Sequence, residues 1–349
     1  MKKVVLFVGT EKGAFLIRSR DRYNWQLEGP LFKGWKVTAA GRSPDGRFLA
    51  ASASYVYGPL LHISDDLVQW DSVKDGPSYG EGRKLEQIWT VAATRRGLYA
   101  GVAEAGLFFA ADPMGPWKPV QGLNDHPTRA AWQPGLGGLC AHVVLENPEN
   151  PDQLWCGISA VGVFRTDDGG KTWHPRNRGV TVAIEDKDHK DIGFCVHGLA
   201  LNPHNPAVLY RQDHLGMFRS DDAGDTWQRS NAGLPADFGF PIVTDPDTGA
   251  VYAYPLHSDE YRLPVGGAMA VYRSTDQARS WAPLARGLMQ EGGYASVLRG
   301  AMDVDGLSPC GVYFGTSSGT VHCSADGGDS WQQPDCLLPR ILCIKAFVL

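Results

Sequence analysis

One short turn sequence, used again and again, restricts what this chain can fold into. In Thr166-Asp167-Asp168-Gly169-Gly170-Lys171-Thr172-Trp173, the two glycines supply positive φ for a tight turn. Thr166 and Asp168 can bond the turn's own amides, and Trp173 opens the next strand with a large apolar surface. The apolar run Val161-Gly162-Val163-Phe164 stands before it, so the stretch reads as a β-hairpin. Ser220-Asp221-Asp222-Ala223-Gly224-Asp225-Thr226-Trp227 and Ser324-Ala325-Asp326-Gly327-Gly328-Asp329-Ser330-Trp331 are close copies. Ser274-Thr275-Asp276-Gln277-Ala278-Arg279-Ser280-Trp281 keeps the Ser, the Asp and the Trp, with Ala278 where a glycine is expected. Worn copies stand at Ser64-Asp65-Asp66 before Trp70, Ser19-Arg20-Asp21 before Trp25, and Ala110-Ala111-Asp112 before Trp117.

The seven tryptophans are separated by 45, 47, 56, 54, 54 and 50 residues. A unit of about 50 residues suits a four-stranded propeller blade. Apolar strand pairs precede the turns, as in Leu98-Tyr99-Ala100-Gly101 with Gly106-Leu107-Phe108-Phe109. The expected fold is all-β: a seven-bladed β-propeller of four-stranded antiparallel blades forming one domain over residues 1–349. The pattern Ser/Thr-x-Asp-x-Gly-x-Thr/Ser-Trp resembles the Asp-box, or BNR repeat, of sialidases, sortilin-type receptors, certain xyloglucanases and bacterial propellers described as glycosyl hydrolases. The resemblance covers essentially the whole chain. It implies that the box aspartates, Asp168, Asp222 and Asp326, are folding elements away from the functional face, and that the chain is a sialidase-like, carbohydrate-active protein. The arginine triad and tyrosine nucleophile of true sialidases are not reproduced in order. Tyr261-Arg262-Leu263-Pro264 is similar to their N-terminal motif but falls in the sixth repeat.

Composition narrows the partners. The net charge is -5, from 33 basic and 38 acidic residues, and no dense basic run is present, so nucleic acid is not an expected partner. The apolar run at residues 4–9 is interrupted by Thr10, Glu11 and Lys12. It is too short for an export signal, and no stretch is long enough to span a bilayer. Seven scattered cysteines without a CxxC pair read as reduced thiols, and the expected location is cytoplasmic, with no membrane partner.

Along the chain, residues 4–10, 13–17 and 25–27 supply only three strands before the next repeat begins at Val37. The run 341–348 has no turn signal of its own and is expected to complete the first blade, closing the ring. Two inserts break the rhythm, at residues 123–139 and 257–267. Long loops of this kind are often functional. In a meandering blade, the loops entering inner strands share a face with those joining the second and third strands, opposite the Asp-box turns. That face collects the candidates.

Glu104, Asp213, His214 and Tyr261 are the candidate catalytic groups, since sugar chemistry uses carboxylates or a His/Tyr acid–base pair. Trp35, Trp89 and Trp132 lie outside the repeat tryptophans and can either stack on sugar rings or take a core or inter-blade packing role. Arg129, Arg262 and Arg299 can hold a carboxylate, and His126 and His197 complete the substrate-binding set. His142, His197, His214 and His257 could together bind a divalent metal ion, although no local ligand spacing requires one. The leading expectation is a glycosyl-hydrolase-like protein binding a small or acidic sugar. The alternatives are a metal-assisted sugar lyase and a non-catalytic protein-interaction propeller.

Overall fold

The computed structural model describes residues 2–181 and 190–349. It is all-β apart from short helical turns at Gln121–Asn124, Arg129–Ala131 and Val265–Gly267. Among the described residues no helix is long and apolar enough to cross a membrane. The chain divides into two compact units.

One unit comprises Trp35–Val196 with Gly224–Trp227 and holds three four-stranded antiparallel sheets. Their first strands are Lys36–Arg42, Gln87–Thr94 and Ala141–Glu146. In each, a long first pairing is followed by a short outer strand, as in Leu154–Ile158, Gly162–Thr166 and His174–Pro175. Both faces of the middle strands are buried, so Leu154–Ile158 runs as Leu-Trp-Cys-Gly-Ile without polar alternation. Gly101 lies where a Cβ would meet the Ala141 carbonyl oxygen at 2.5 Å, and its missing side chain lets neighbouring sheets close together.

The other unit comprises Met1–Gly34, His197–Ala223 and Gln228–Leu349. Two of its sheets are four-stranded, beginning with Gly198–Leu201 and Phe238–Thr244. A third has seven strands, in the order Val321–Ser324, Val312–Thr316, Val297–Val304, Ile341–Val348, Val4–Thr10, Gly13–Ser19, Gln26–Leu31. Ile341–Val348 pairs antiparallel with Val4–Thr10, from Val4↔Val348 to Thr10↔Ile341, so the C-terminal strand does complete the N-terminal set. Separate blades were expected here, yet a parallel bridge, Gly300↔Cys343, joins the last repeat to the first. Asp303 helps to hold that seam: it accepts a hydrogen bond from the Ala346 amide at 2.8 Å and pairs with Lys345 Nζ at 3.0 Å.

The repeated turn behaves as its residues dictate. Thr166 Oγ1 donates to Asp168 Oδ1 at 2.7 Å and accepts from the Gly170 amide at 3.0 Å. Asp168 Oδ1 accepts the Lys171 and Thr172 amides, and Oδ2 accepts Thr172 Oγ1 at 2.6 Å. Desolvation pushes the Asp168 carboxyl up, but the bonds from Thr172, Thr166 and Lys171 outweigh it and bring the group down to about 2. The turns at 274–280 and 324–330 repeat the pattern. In the worn copies Asp66 and Asp21 still gather two amides each. Ala278 takes up the glycine's left-handed backbone, with φ 63° against 92° at Gly170.

Two further contacts tie one repeat to the next. Indole Nε1 of Trp227, Trp281 and Trp331 donates to the carbonyls of Arg176, Ser230 and Leu284, at 2.9, 2.8 and 3.1 Å, each at the end of the preceding sheet. The arginine just before a turn reaches the following turn, as Arg165 does to Asp225 and Arg273 to Asp329, both at 2.9 Å. Local turn chemistry therefore also sets the spacing between sheets.

Candidate functional site

The unit that contains both termini carries an open cleft of about 480 Å³. Its walls include His214, Asp237, Phe238, His257, Ser258 and Asp259. His214 sits in the turn between the strands Leu209–Gln212 and Met217–Ser220. That turn is fixed from within: the Asp213 amide donates to Gly216 O, and Asp213 Oδ1 accepts the Leu215 amide at 2.8 Å. The buried Gln212 side chain donates to the carbonyls of Asp213, Gly216 and Asp237. One amide thus joins the His214 wall to the Asp237 wall.

Burial lifts the Asp213 carboxyl to about 6, against the pull of Arg211, whose Nε lies 3.6 Å away. Asp213 is almost wholly buried, so it supports the turn from behind. His214 presents Nδ1 to Asp259 Oδ2 at 3.4 Å. Burial pushes the His214 imidazole below its ordinary range, Asp259 pulls it back up, and Arg262 and Arg299 push it down. The ring can therefore act as a base oriented by a carboxylate. His197 lies behind it with ring centroids 4.5 Å apart, and its Nδ1 bonds the Gly239 carbonyl oxygen at 2.7 Å, which fixes the proton on Nδ1.

Phe238 and Phe240 pack against these imidazoles. The guanidiniums of Arg299 and Arg262 lie over the Phe240 ring, at 5.1 and 5.6 Å from its centroid. His257 is exposed at the cleft, its ring 5.3 Å from that of Tyr261. Tyr261 is 61% exposed, and its hydroxyl meets no base among the described residues. This unit therefore brings together Asp213, His214, His197, Arg262 and Arg299, with Tyr261 and His257 at the edge.

The remaining candidates belong to the other unit. Arg129 Nη2 is 3.5 Å from Glu104 Oε1, and its guanidinium lies 4.7 Å from the Trp132 ring. His126 stacks on that indole, and Thr128 Oγ1 accepts from Trp132 Nε1 at 2.9 Å. The insert thus folds back on itself. Trp132 is only 5% exposed with Arg129 and His126 already against it, so the expectation of a sugar-stacking surface there is corrected: the indole is core. His126 is buried as well and bonds Thr128 through Nδ1 at 2.8 Å. Trp35 is half-buried beside Tyr57 and His62, and Trp89 is half-buried in the strand Gln87–Thr94. His142 Nε2 bonds the Val196 carbonyl oxygen at 2.8 Å. Of the four histidines considered for a metal, His197 and His214 are the two whose rings pack together, offering two imidazole ligands. Sequence reading missed Asp237, Phe238 and Phe240, which carry no motif. A signal existed only in Phe238-Gly239-Phe240, aromatic residues flanking the expected inner strand.

Repeated antiparallel sheets of four strands, tied by Trp and Asp turn contacts, define a propeller-like all-β repeat protein. The BNR/Asp-box repeat family model matches residues 164–175, one copy of the repeated turn. It is 30% identical over 127 residues to a probable oligoxyloglucan-reducing end-specific xyloglucanase of Neosartorya fischeri, covering 33% of this chain and 15% of that protein. The chain thus spans only a small part of that curated relative. Among solved structures, an ancestral GH74 enzyme aligns with a TM-score of 0.55 at 15% identity, covering 85% of this chain and 38% of that one. YCF48 from Cyanidioschyzon merolae aligns with a TM-score of 0.55 at 13% identity, covering 88% and 87%. These likenesses establish the fold alone.

Proposed function

We propose that this chain is a closed seven-bladed Asp-box propeller that binds and turns over a small carbohydrate in the cleft beside His214. The observation that carries this reading is the convergence, in a cleft of about 480 Å³, of the His214–Asp259 pair with Asp237 and His257. Apolar walls from Phe238 and Val265 suit the carbon face of a sugar ring, and the polar groups suit its hydroxyls. His214, oriented by Asp259, serves as general acid or base, and the carboxylate of Asp259 stabilises positive charge developing at the sugar, while Asp237 is held by Arg229 and Asn231. The xyloglucanase named among the relatives supports a glycan as the ligand class.

A test is a screen of purified protein against xyloglucan oligosaccharides, other neutral oligosaccharides and uronates, by calorimetry and reducing-end release. The His214→Ala and Asp259→Asn variants are expected to lose turnover by roughly 100-fold with an unchanged melting temperature. Absence of binding to every sugar would refute the reading. A protein-interaction platform is favoured by one separate observation: Tyr55 and Val56 stand almost wholly exposed at a hairpin tip in the other unit, with Tyr57 exposed beside Trp35. Capture of a protein partner lost on Tyr55→Ser, Tyr57→Ser substitution would support it.

A further inference from the structure

We infer that Gln212 is a positioning residue: its side-chain amide clamps the His214 turn to the Asp237 wall of the cleft and so holds the His214 ring against Asp259. This rests on His214 being the acid–base group proposed above, but its test needs no sugar. Gln212 is 1% exposed and ends the strand Leu209–Gln212, directly before the turn that carries His214. Its Nε2 donates to Asp213 O at 2.9 Å, Gly216 O at 3.2 Å and Asp237 O at 2.7 Å. The first two carbonyls flank His214, and the third belongs to the Asp237 wall. The main-chain oxygen of Gln212 also accepts the amide of His197 at 2.9 Å, whose ring lies behind that of His214.

Few side chains suit that position. Three carbonyls converge on one buried group, so the group must be a donor. An Asn amide stops one carbon short, an apolar side chain donates nothing, and a Glu offers at most one hydrogen. Gly239 leaves room for the amide, since a Cβ there would stand 3.3 Å from Gln212 Oε1. Asp259 is anchored separately. Its main-chain oxygen accepts from Arg262 Nε at 2.9 Å, and its loop closes through the His257 amide to Leu263 O at 2.7 Å. The 3.4 Å approach of His214 Nδ1 to Asp259 Oδ2 therefore depends on where the His214 turn stands, and Gln212 sets that. A shift of about 1 Å would take the pair out of hydrogen-bond reach.

The test reads the His214 imidazole nitrogens by NMR on the full chain at pH 8, with the signals assigned through His214→Asn. A carboxylate acceptor requires the neutral ring to carry its proton on Nδ1. The wild type should show the Nδ1–H form, and Gln212→Met should move most of the population to the Nε2–H form. Gln212→Glu, of equal length, should do the same. A glutamine serving stability alone would lower the melting temperature of both variants and leave the tautomer in place. That unchanged tautomer in a folded variant would overturn the clamp and leave the sugar reading standing. An Nε2–H ring already present in the wild type would overturn both. Should neither variant fold, the wild type decides: Gln212 side-chain amide protons that exchange as slowly as the main-chain amides of Leu209–Gln212 support the clamp, and fast exchange overturns it.

Discussion

Lowering the pH from 8 to 5 should weaken the two units unequally, and the structure gives the size of the difference. His62 and His322 are 3% and 4% exposed, and burial pushes both imidazoles from 6.5 down to about 4. Between those values the unfolded chain binds more protons than the folded one, so their stability contribution is complete above pH 6.5 and lost as pH falls toward 4. Linkage over that range gives a loss of about 2 kcal/mol per histidine at pH 5. Asp213 works in the opposite sense. Its carboxyl is raised from 3.8 to about 6, so the folded chain takes up the extra proton there and gains about 1.4 kcal/mol at pH 5. His62 lies in the unit without Asp213, whereas His322 shares a unit with it. Burial also holds His126 of the first unit and His214 of the second below the ordinary imidazole range, so each unit loses more than its one deeply buried histidine accounts for, and the first should lose more than the second, whose loss Asp213 partly offsets. Amide hydrogen exchange at pH 8 and pH 5, corrected for intrinsic rates, reads each unit separately. In Asp213→Asn the protection of the second unit should fall with pH as steeply as that of the first. Equal losses in the wild type, or titration of both histidines near 6.5 by NMR, would refute the reasoning.

The turn glycines should differ among themselves. An alanine Cβ at 224 would meet nothing nearer than 3.5 Å, whereas at 328 it would stand 2.5 Å from Leu284 Cδ1, both at φ near 90°. Gly224→Ala should cost about 1 kcal/mol and Gly328→Ala about 2–3 kcal/mol, measured by urea denaturation. Removing residues 340–349 withdraws the buried side chains of Ile341, Ile344 and Phe347. At about 2–3 kcal/mol each, the loss rivals a typical domain's entire stability. The truncated chain should lose the near-UV circular dichroism and cooperative melting of its seven-stranded sheet, and retention of the full-length transition would contradict this.

What was legible in the sequence is what is decided locally. Asp168, Thr166 and Trp173 specify their turn through neighbours a few residues away, so even the worn copies at Asp21 and Asp66 could be found. The strand Ile341–Val348 was legible by elimination, because the first repeat lacked one strand and this run had no turn of its own. The seam Gly300↔Cys343 was not, because it depends on how two neighbouring repeats meet. The site was less legible still. His197 and His214 could be read as candidates, but the support from Gln212 and the ring stack through Phe238 and Phe240 arise from register and side-chain packing across sheets. Trp132 misled for the same reason: nothing in its own stretch shows that Arg129 and His126 fold back over the indole.

The pairing of Val4–Thr10 with Ile341–Val348 also bears on how the protein comes into being. Val4 is made well before its partner Val348, which lies 344 residues further along the chain. Contacts so distant along the chain form slowly, after much loop entropy has been lost. Until Ile341–Val348 is made, the strand Val4–Thr10, wholly buried in the finished protein, has one edge without its partner. Such edges recruit other chains. The seven-stranded sheet is thus completed only once Ile341–Val348 has been made, and the yield of native protein depends on shielding Val4–Thr10 until it arrives.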